Sequence, residues 1–145
     1  MDLRLMGRNA VAAGHTLGLL STNVRNAALL DIARRLDAVG DELWQANQAD
    51  IAEARAAGIA SALLDRATLS AKKVQSMARG CRDVATLPDP LGEMFDGRTM
   101  PNGLRMAKKR VPLGVLAVIF ESRPNVTIDI SALGVKTGNA VIMRG

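Results

Sequence analysis

The stretch that decides the fold is residues 111–145, VPLGVLAVIFESRPNVTIDISALGVKTGNAVIMRG. Its segment Gly114–Phe120 is short, apolar and partly β-branched, which is typical of a parallel strand buried on both faces. A helix is predicted over Asn125–Lys136, because Gly138 can adopt the left-handed conformation just past a helix end. A second strand is predicted over Ala140–Met143. The stretch therefore predicts a strand–helix–strand unit.

A binding edge is expected where these two strands end. In an open α/β sheet, ligands bind beyond the carboxyl ends of the strands. The second strand runs directly into Arg144 and Gly145, where the printed sequence stops. We therefore expect this sequence to be the N-terminal part of a larger protein.

The turn Glu121–Asn125 lies at the same edge and indicates an anion site. A helix N-terminus presents free N–H groups and partial positive charge. Arg123 adds a planar, permanently charged donor that can grip phosphate or carboxylate at two points. Alternatively, Arg123 pairs with Glu121 or Asp129 and has only a structural role. The residue pattern leaves both interpretations open.

The first 87 residues are predicted to be helical. Ser21 or Thr22 can cap a helix, and Val24, Ala28, Ile32 and Leu36 recur at every fourth position, which predicts an apolar stripe. Glycine and proline residues divide the rest into further helices. Gly40 precedes a helix that starts at Asp41-Glu42, and Gly58 ends that helix. Pro88 and Pro90 stop a later helix. That last helix begins after Ser70 and places Val74, Met77 and Cys81 on one side.

A β-hairpin is predicted next, over two segments joined by Pro101-Asn102-Gly103. Proline presets φ and glycine supplies a positive φ, so these three residues are a turn signal. The segments 93–99 and 104–111 carry little apolar surface, and an isolated hairpin is only marginally stable in water. We therefore expect the hairpin to add to another sheet, for example in a partner subunit.

Several segments together resemble the γ-glutamyl phosphate reductases, a family of the aldehyde dehydrogenase superfamily. Val111–Ile119 and Lys136–Gly145 resemble these reductases, and within them Pro112-Leu-Gly-Val115 and Thr137-Gly-Asn-Ala-Val141 are shared widely across the superfamily. The discriminating segment is Arg123-Pro-Asn-Val-Thr127, where most aldehyde dehydrogenases have a Pro-Trp-Asn-Phe-Pro type segment. Leu64-Asp-Arg66 and Asp89-Pro-Leu-Gly92 fit the reductases as well. The resemblance covers essentially all 145 residues, but only about a third of the family's usual length.

The resemblance implies NADPH-dependent reduction of L-glutamyl 5-phosphate to L-glutamate 5-semialdehyde and phosphate, a step of proline biosynthesis. It implies catalytic roles for Arg123 and Asn125, with a nucleophilic cysteine beyond residue 145. In the superfamily an Asn of this turn helps to stabilise the oxyanion; here Arg123 falls close to that position, and Asn125 or a backbone N–H could replace the donor. Contacts to NADP(H) are expected from Phe120, Glu121, Ser122, Arg144 and Gly145. An Arg at position 144 suits the 2′-phosphate of NADP better than a bare ribose.

The expected fold class is α/β, with an N-terminal helical layer, a hairpin arm and the start of a Rossmann-like parallel sheet. We divide the chain into residues 1–90, the helical part of the cofactor-binding domain; 91–112, the hairpin arm; and 113–145, the incomplete strand–helix–strand unit. The expected partners are an acyl-phosphate substrate, further copies of the chain through the hairpin, and the upstream glutamate kinase. The alternatives are a non-catalytic binding or assembly module and another superfamily dehydrogenase.

Composition and charge exclude other classes. The net charge of +5 divides into −1 over residues 1–70 and +6 over residues 71–145; the basic half could attract phosphate-bearing ligands or be an ordinary solvated surface.

No apolar run or leader pattern predicts a membrane span or signal peptide. Cys81, the single cysteine, fits a reducing cytosol and a buried position. One His (His15) and one Cys make a zinc site improbable. Lys108-Lys-Arg110 lacks interleaved aromatics, so nucleic-acid binding is not expected.

Overall fold

The structure is a computed structural model that describes residues 2–121 and 123–145. No helix of these residues is long and apolar enough to cross a membrane. In chain order, the elements are α1 (Leu3–Leu19), α2 (Thr22–Asp37), α3 (Asp41–Ala56), α4 (Ser61–Ala67), α5 (Ala71–Thr86), β1 (Met94–Thr99), β2 (Arg105–Lys109), β3 (Val115–Ile119), α6 (Pro124–Lys136) and β4 (Ala140–Arg144).

The predicted helix boundaries are confirmed in most places. Ser21 is the N-cap of α2, and its hydroxyl accepts the Val24 N–H; Ser70 caps α5 in the same way. Gly40 immediately precedes α3, and Gly58 follows its end with φ +76°. The short helix α4, between Gly58 and Ser70, was not anticipated as a separate element.

The core lies where α2, α5 and α6 pack together. Leu29 and Cys81 are its two largest fully buried side chains. Small residues let the three helices approach closely: Ala33 on α2, Ala78 on α5 and Ala132 on α6 are at most 2% exposed. The predicted placement of Val74, Met77 and Cys81 on the buried side of α5 is confirmed.

The predicted apolar stripe of α2 is wrong over the first half of the helix, where the buried positions lie one residue later than predicted. Val24 is 49% exposed and Ala28 is exposed, whereas Arg25, Leu29 and Ala33 are buried. The reason is that Arg25 turns inward to a partner far away in sequence, and this contact sets which face of α2 meets the core.

Asp89 is that partner, in the loop between α5 and β1. The Arg25 guanidinium and the Thr22 hydroxyl both donate to its carboxylate, and the Leu91 N–H donates at 3.0 Å. Burial raises the pKa of Asp89, but these hydrogen bonds and the charges of Arg25 and Lys136 outweigh it, so the net pKa lies below its ordinary value. The ion pair therefore joins the start of α2 to the segment that leads into the hairpin.

Lys136, at the end of α6, is a second buried cation near this junction. It is 2% exposed, and its Nζ donates to Asn26 Oδ1 at 2.9 Å and to the Ala85 carbonyl at 3.0 Å. A buried ammonium needs such partners, since its charge has lost its water. These bonds fasten α6 to both α2 and α5.

The strand–helix–strand unit has the predicted parallel pairing. Val115 pairs with Ala140 and Ile119 with Arg144, in one continuous register. Asn139 fixes this register at the amino ends of the strands, because its Oδ1 accepts the Gly114 N–H at 2.9 Å. Gly138 has φ +68° just past α6, as predicted.

The prediction that β3 is buried on both faces is wrong for this chain. None of its side chains is fully buried, Ala117 and Ile119 are exposed, and Ile119 retains 85% of its accessible surface. No element among residues 2–121 and 123–145 covers that face of β3.

Two glycines let helices approach the strand pair closely. A Cβ at Gly134 would lie 2.6 Å from Val141 Cγ2, so α6 can pack on β4 only with glycine here. A Cβ at Gly14 of α1 would lie 3.3 Å from the Gly114 carbonyl oxygen. Contact distances this short leave no room for a methyl group in the first case and little in the second.

The helices α3 and α4 form a peripheral pair. None of the α3 side chains is buried, and α4 is its principal packing partner. Asn47 holds the pair together: its Nδ2 donates to the Ala67 carbonyl at 3.0 Å, and its Oδ1 accepts the Leu69 N–H at 2.8 Å. Trp44 lies on the same side of α3 and lines a small groove between α3 and the residues that follow α4.

The predicted hairpin is confirmed. Strands β1 and β2 are antiparallel, and Gly103 in the turn has φ +85°. Every side chain of both strands is exposed. The Phe95 ring lies 5.2 Å from the Arg110 guanidinium carbon and 5.8 Å from Lys108 Nζ, so its face carries two cations.

Candidate functional site

The candidate site is the edge formed by the carboxyl ends of β3 and β4 and the start of α6. Because β3 and β4 are parallel and joined through α6, both strand ends and the N-terminus of α6 lie at this edge. The register pairs Ile119 with Arg144, the last residues of the two strands. Ligands of open α/β sheets bind at such an edge.

Phe120 and Gly145 are in direct contact there. The Phe120 N–H donates to the Arg144 carbonyl at 3.0 Å, which extends the pairing one residue beyond β3. A Cβ at Gly145 would lie 3.2 Å from two carbons of the Phe120 ring. Glycine at position 145 therefore allows the aromatic ring to pack closely against the neighbouring backbone, and we call this pair of residues the floor of the edge.

Of the three further residues predicted to bind the cofactor, the structure describes Glu121 and Arg144. Glu121 is exposed next to Phe120. Ser122 lies outside the described residues. Arg144 is exposed, and its guanidinium donates to the carbonyl of Gly145. The charge of Arg144 is thus at the surface of the edge, where it can reach an anion.

Arg123 is the N-cap residue of α6 and is exposed. The ion pair with Glu121 or Asp129 that sequence reasoning offered as an alternative does not form: among the ion pairs of the described residues, none includes Arg123. The guanidinium accordingly adds positive charge beside the partial positive charge of the helix N-terminus. This combination favours an anionic ligand.

The start of α6 has few side-chain partners of its own. Arg123 makes no side-chain cap, and Pro124, the first helical residue, has no N–H. Asn125 is exposed, and its Nδ2 donates to Asp129 Oδ2 one turn later at 3.0 Å. The side-chain amide of Asn125 is therefore held against the helix and retains hydrogen-bonding capacity for a ligand.

Cys81 and His15 lie elsewhere and have the positions that the sequence predicted. Cys81 is 1% exposed in the helical core, and burial raises the pKa of its thiol, with a further contribution from the Asp129 charge. His15 is exposed on α1. The described residues contain no group of three metal-ligating side chains. A buried thiol with a raised pKa is a poor nucleophile.

Two features were missed from the sequence, one at the edge itself and one at the opposite ends of the strands. Asp129 was considered only as a partner of Arg123, although its spacing of four residues from Asn125 on a helix was a usable signal. The bond from Gly114 to Asn139, which sets the strand register, connects residues 25 apart. The only local signal for this bond was the position of Asn139 directly after Gly138, which ends α6.

No family model matches the chain. It is 52% identical over 145 residues to the γ-glutamyl phosphate reductase of Chloroflexus aggregans and 48% identical over 143 residues to that of Erwinia tasmaniensis. Each match includes at least 99% of this chain and 34% of the relative. The chain thus spans about a third of the length of the curated relatives that it matches.

Solved structures give the same result. The γ-glutamyl phosphate reductase of Thermotoga maritima is 38% identical, with a TM-score of 0.91 over 99% of this chain and 35% of that protein. The Saccharomyces cerevisiae enzyme is also 38% identical, with a TM-score of 0.91 over 100% of this chain and 37% of its own. The resemblance to the N-terminal portion of this family and the predicted α/β fold class are both confirmed.

Proposed function

We propose that residues 1–145 are the N-terminal third of a γ-glutamyl phosphate reductase. The full-length protein would reduce L-glutamyl 5-phosphate to L-glutamate 5-semialdehyde and phosphate with NADPH, as a cytoplasmic step of proline biosynthesis. The observation that carries this proposal is the 52% identity to such a reductase along the whole chain. The basic edge at the ends of β3 and β4 agrees with it, since both the cofactor and the substrate carry phosphate groups.

The positive charge of the edge supports the binding of a phosphorylated dinucleotide. The exposed guanidinium of Arg144 would bind the 2′-phosphate of NADP, and the floor made by Phe120 and Gly145 would lie beneath the cofactor. Glu121 and Ser122 would complete the contacts. When bound, the cofactor supplies the hydride for the reduction.

Arg123 and Asn125 would act on the substrate. Arg123 would orient the acyl phosphate through a two-point contact to its oxygens, and Asn125 would donate a hydrogen bond to the oxygen on which negative charge develops. The nucleophile would be a cysteine from the remaining two thirds of the protein, because Cys81 is enclosed in the helical core. The division of the chain at residues 90 and 112 stays a prediction.

The hairpin of β1 and β2 would serve as an oligomerisation arm. All eleven of its strand residues are exposed, and they include Met94 and Met106, which are 67% and 43% exposed. A two-stranded sheet with such surface gains stability by pairing with another sheet. We further propose that the assembled reductase associates with glutamate kinase, whose product is its substrate.

The test uses a full-length reductase in which residues 1–145 replace the matching segment of the Chloroflexus aggregans relative. We expect this chimaera to reduce NADP⁺ in the presence of glutamate semialdehyde and phosphate, the reverse reaction. Arg144→Ala should weaken binding of NADP by about 1.5–3 kcal/mol, the scale of a hydrogen bond to a charged group, and leave NAD binding nearly unchanged. Equal losses for both cofactors would assign Arg144 a structural role.

The unmodified relative is the control for the assay, and Arg123→Ala tests the substrate contact. A chimaera that is folded and has no activity, while the relative is active, would contradict the proposed function. It would favour the alternative that this sequence belongs to a non-catalytic binding or assembly module.

A further inference from the structure

Asp129 has no role in the function proposed above, yet its exposed carboxylate makes a hydrogen bond within α6 and lies beside α5. Its Oδ2 accepts the Asn125 Nδ2–H at 3.0 Å. Its Oδ1 lies 3.8 Å from the point that a Cβ on Gly80 of α5 would occupy. The carboxylate therefore lies at the exposed margin between α6 and the neighbouring helix α5.

The chemistry of a carboxylate fixes the orientation of the amide beside it. An ionised Asp can only accept hydrogen bonds, whereas the Asn amide has an accepting oxygen and a donating nitrogen. Asp129 therefore selects the orientation in which Nδ2 of Asn125 faces it. One Nδ2 hydrogen is used in this bond, and the second remains available for another acceptor. Without Asp129, the amide could rotate and present its oxygen to the same acceptor.

We propose that Asp129 is a positioning residue, which holds the Asn125 amide so that it can donate to the oxyanion of the reacting acyl group. This inference rests on the proposed reductase function. An amide turned the wrong way would place a second oxygen against the developing negative charge, so the orientation matters more in the transition state than in the ground state.

The bond is not needed for the fold. Asn125 and Asp129 are both exposed in this chain, and a pair four residues apart on a helix surface adds little to stability. The core residues that hold α6 in place, Ala132 and Lys136, lie on later turns. Loss of the carboxylate should therefore change catalysis without unfolding α6.

The experiment measures kcat, KM and melting temperature of the chimaeric reductase and four variants. Asn125→Ala should lower kcat by about 10²-fold, as for removal of one oxyanion donor. Asp129→Ala should lower kcat about tenfold or more through misplacement of that donor, with KM and melting temperature nearly unchanged. Asp129→Asn, whose amide can either accept from or donate to Asn125 and so no longer selects one orientation, should recover only part of the activity. In the Asn125→Ala background, Asp129→Ala should have no further effect.

A matched control is Asp50→Ala, which removes an exposed carboxylate from the peripheral helix α3 and should leave kcat unchanged. Two results would overturn the positioning role: equal kcat for Asp129→Ala and the unmodified chimaera, or full multiplication of the two single effects in the double variant. Inactivity of the unmodified chimaera would instead contradict the reductase function itself. A fall in melting temperature that accounts for the lost activity would make Asp129 a structural residue.

Discussion

Replacement of Asp89 by Asn should destabilise the chain far more than the same substitution at an exposed ion pair. Arg25 is 3% exposed and the Asp89 side chain is 18% exposed, so the pair is largely removed from water. Asn is nearly isosteric with Asp, but it has no charge and only one accepting oxygen for the three donors that now reach the carboxylate. The variant therefore leaves a buried guanidinium without its counter-charge.

Removal of one partner of a buried ion pair costs about 3–5 kcal/mol. The partial exposure of Asp89 places the expected loss near the lower end, at about 3 kcal/mol. This would be a large fraction of the 5–15 kcal/mol by which native domains are stable. The Arg25 Nε already has no hydrogen-bond partner among the described residues, so the site has no spare acceptor to compensate.

The same pair predicts how stability depends on pH. The native pKa of Asp89 lies below its ordinary value, so the native state holds this proton less tightly than the unfolded chain. The contribution of Asp89 is therefore complete above the ordinary Asp pKa of about 4 and is lost as the pH falls below it, through the lowered native pKa. Asp89→Asn should flatten this part of the acid dependence.

The assay is urea unfolding of the 145-residue chain, followed by far-ultraviolet circular dichroism at neutral and acidic pH. The matched control is Asp31→Asn, since Asp31 forms exposed ion pairs with Arg34 and Arg35, and such pairs contribute little to stability. If Asp89→Asn lowers the free energy of unfolding no more than Asp31→Asn does, the reasoning about burial is refuted.

Two further substitutions test contacts by their effect on the free energy of unfolding, and one thiol reaction tests the burial of Cys81. Gly134→Ala should lower stability by about 1–3 kcal/mol, because the new methyl would overlap Val141. Asn139→Ala should lower it by about 1–3 kcal/mol, because the part-buried Gly114 N–H loses its acceptor. Cys81 should react with a thiol reagent only as fast as the chain unfolds, since burial both blocks access and raises the pKa of the thiol.

Each substitution has a counterpart in the same chain. Gly7→Ala in α1 meets no atom within 4 Å and should stabilise the helix by about 0.5–1 kcal/mol. Asn102→Ala removes a similar side-chain bond to the Leu104 N–H in the exposed turn of the hairpin, where water can replace it. Equal effects within either pair of variants would contradict the packing and register arguments, and rapid labelling of the native chain would contradict the enclosure of Cys81.

Local signals predicted most of the fold because they act within a few residues. Gly138 and Ser70 mark helix ends through their own backbone or side-chain chemistry, and both predictions are confirmed. The phase of α2 could not be predicted in this way. It depends on Arg25 reaching Asp89, 64 residues away, and a periodicity of apolar residues contains no information about a buried cation.

In the candidate site, too, some features could be predicted from the sequence and others could not. Parallel pairing of β3 and β4 was predictable, and it brings Phe120, Arg144 and Gly145 to one edge as expected. The assignment of cofactor and substrate contacts to these residues stays a prediction. The choice between Arg123 and Asn125 as the partner of Asp129 could have been made from spacing, since residues four apart on a helix share a face and residues six apart do not.

The peripheral position of α3 determines which part of the structure the intrinsic fluorescence of this chain can report on. Trp44 is its single tryptophan, and the sequence contains no tyrosine. Intrinsic fluorescence therefore monitors the groove between α3 and the residues after α4, and not the packing of α2, α5 and α6. A fluorescence transition that precedes the loss of helical signal would show α3 and α4 detaching as a separate unit.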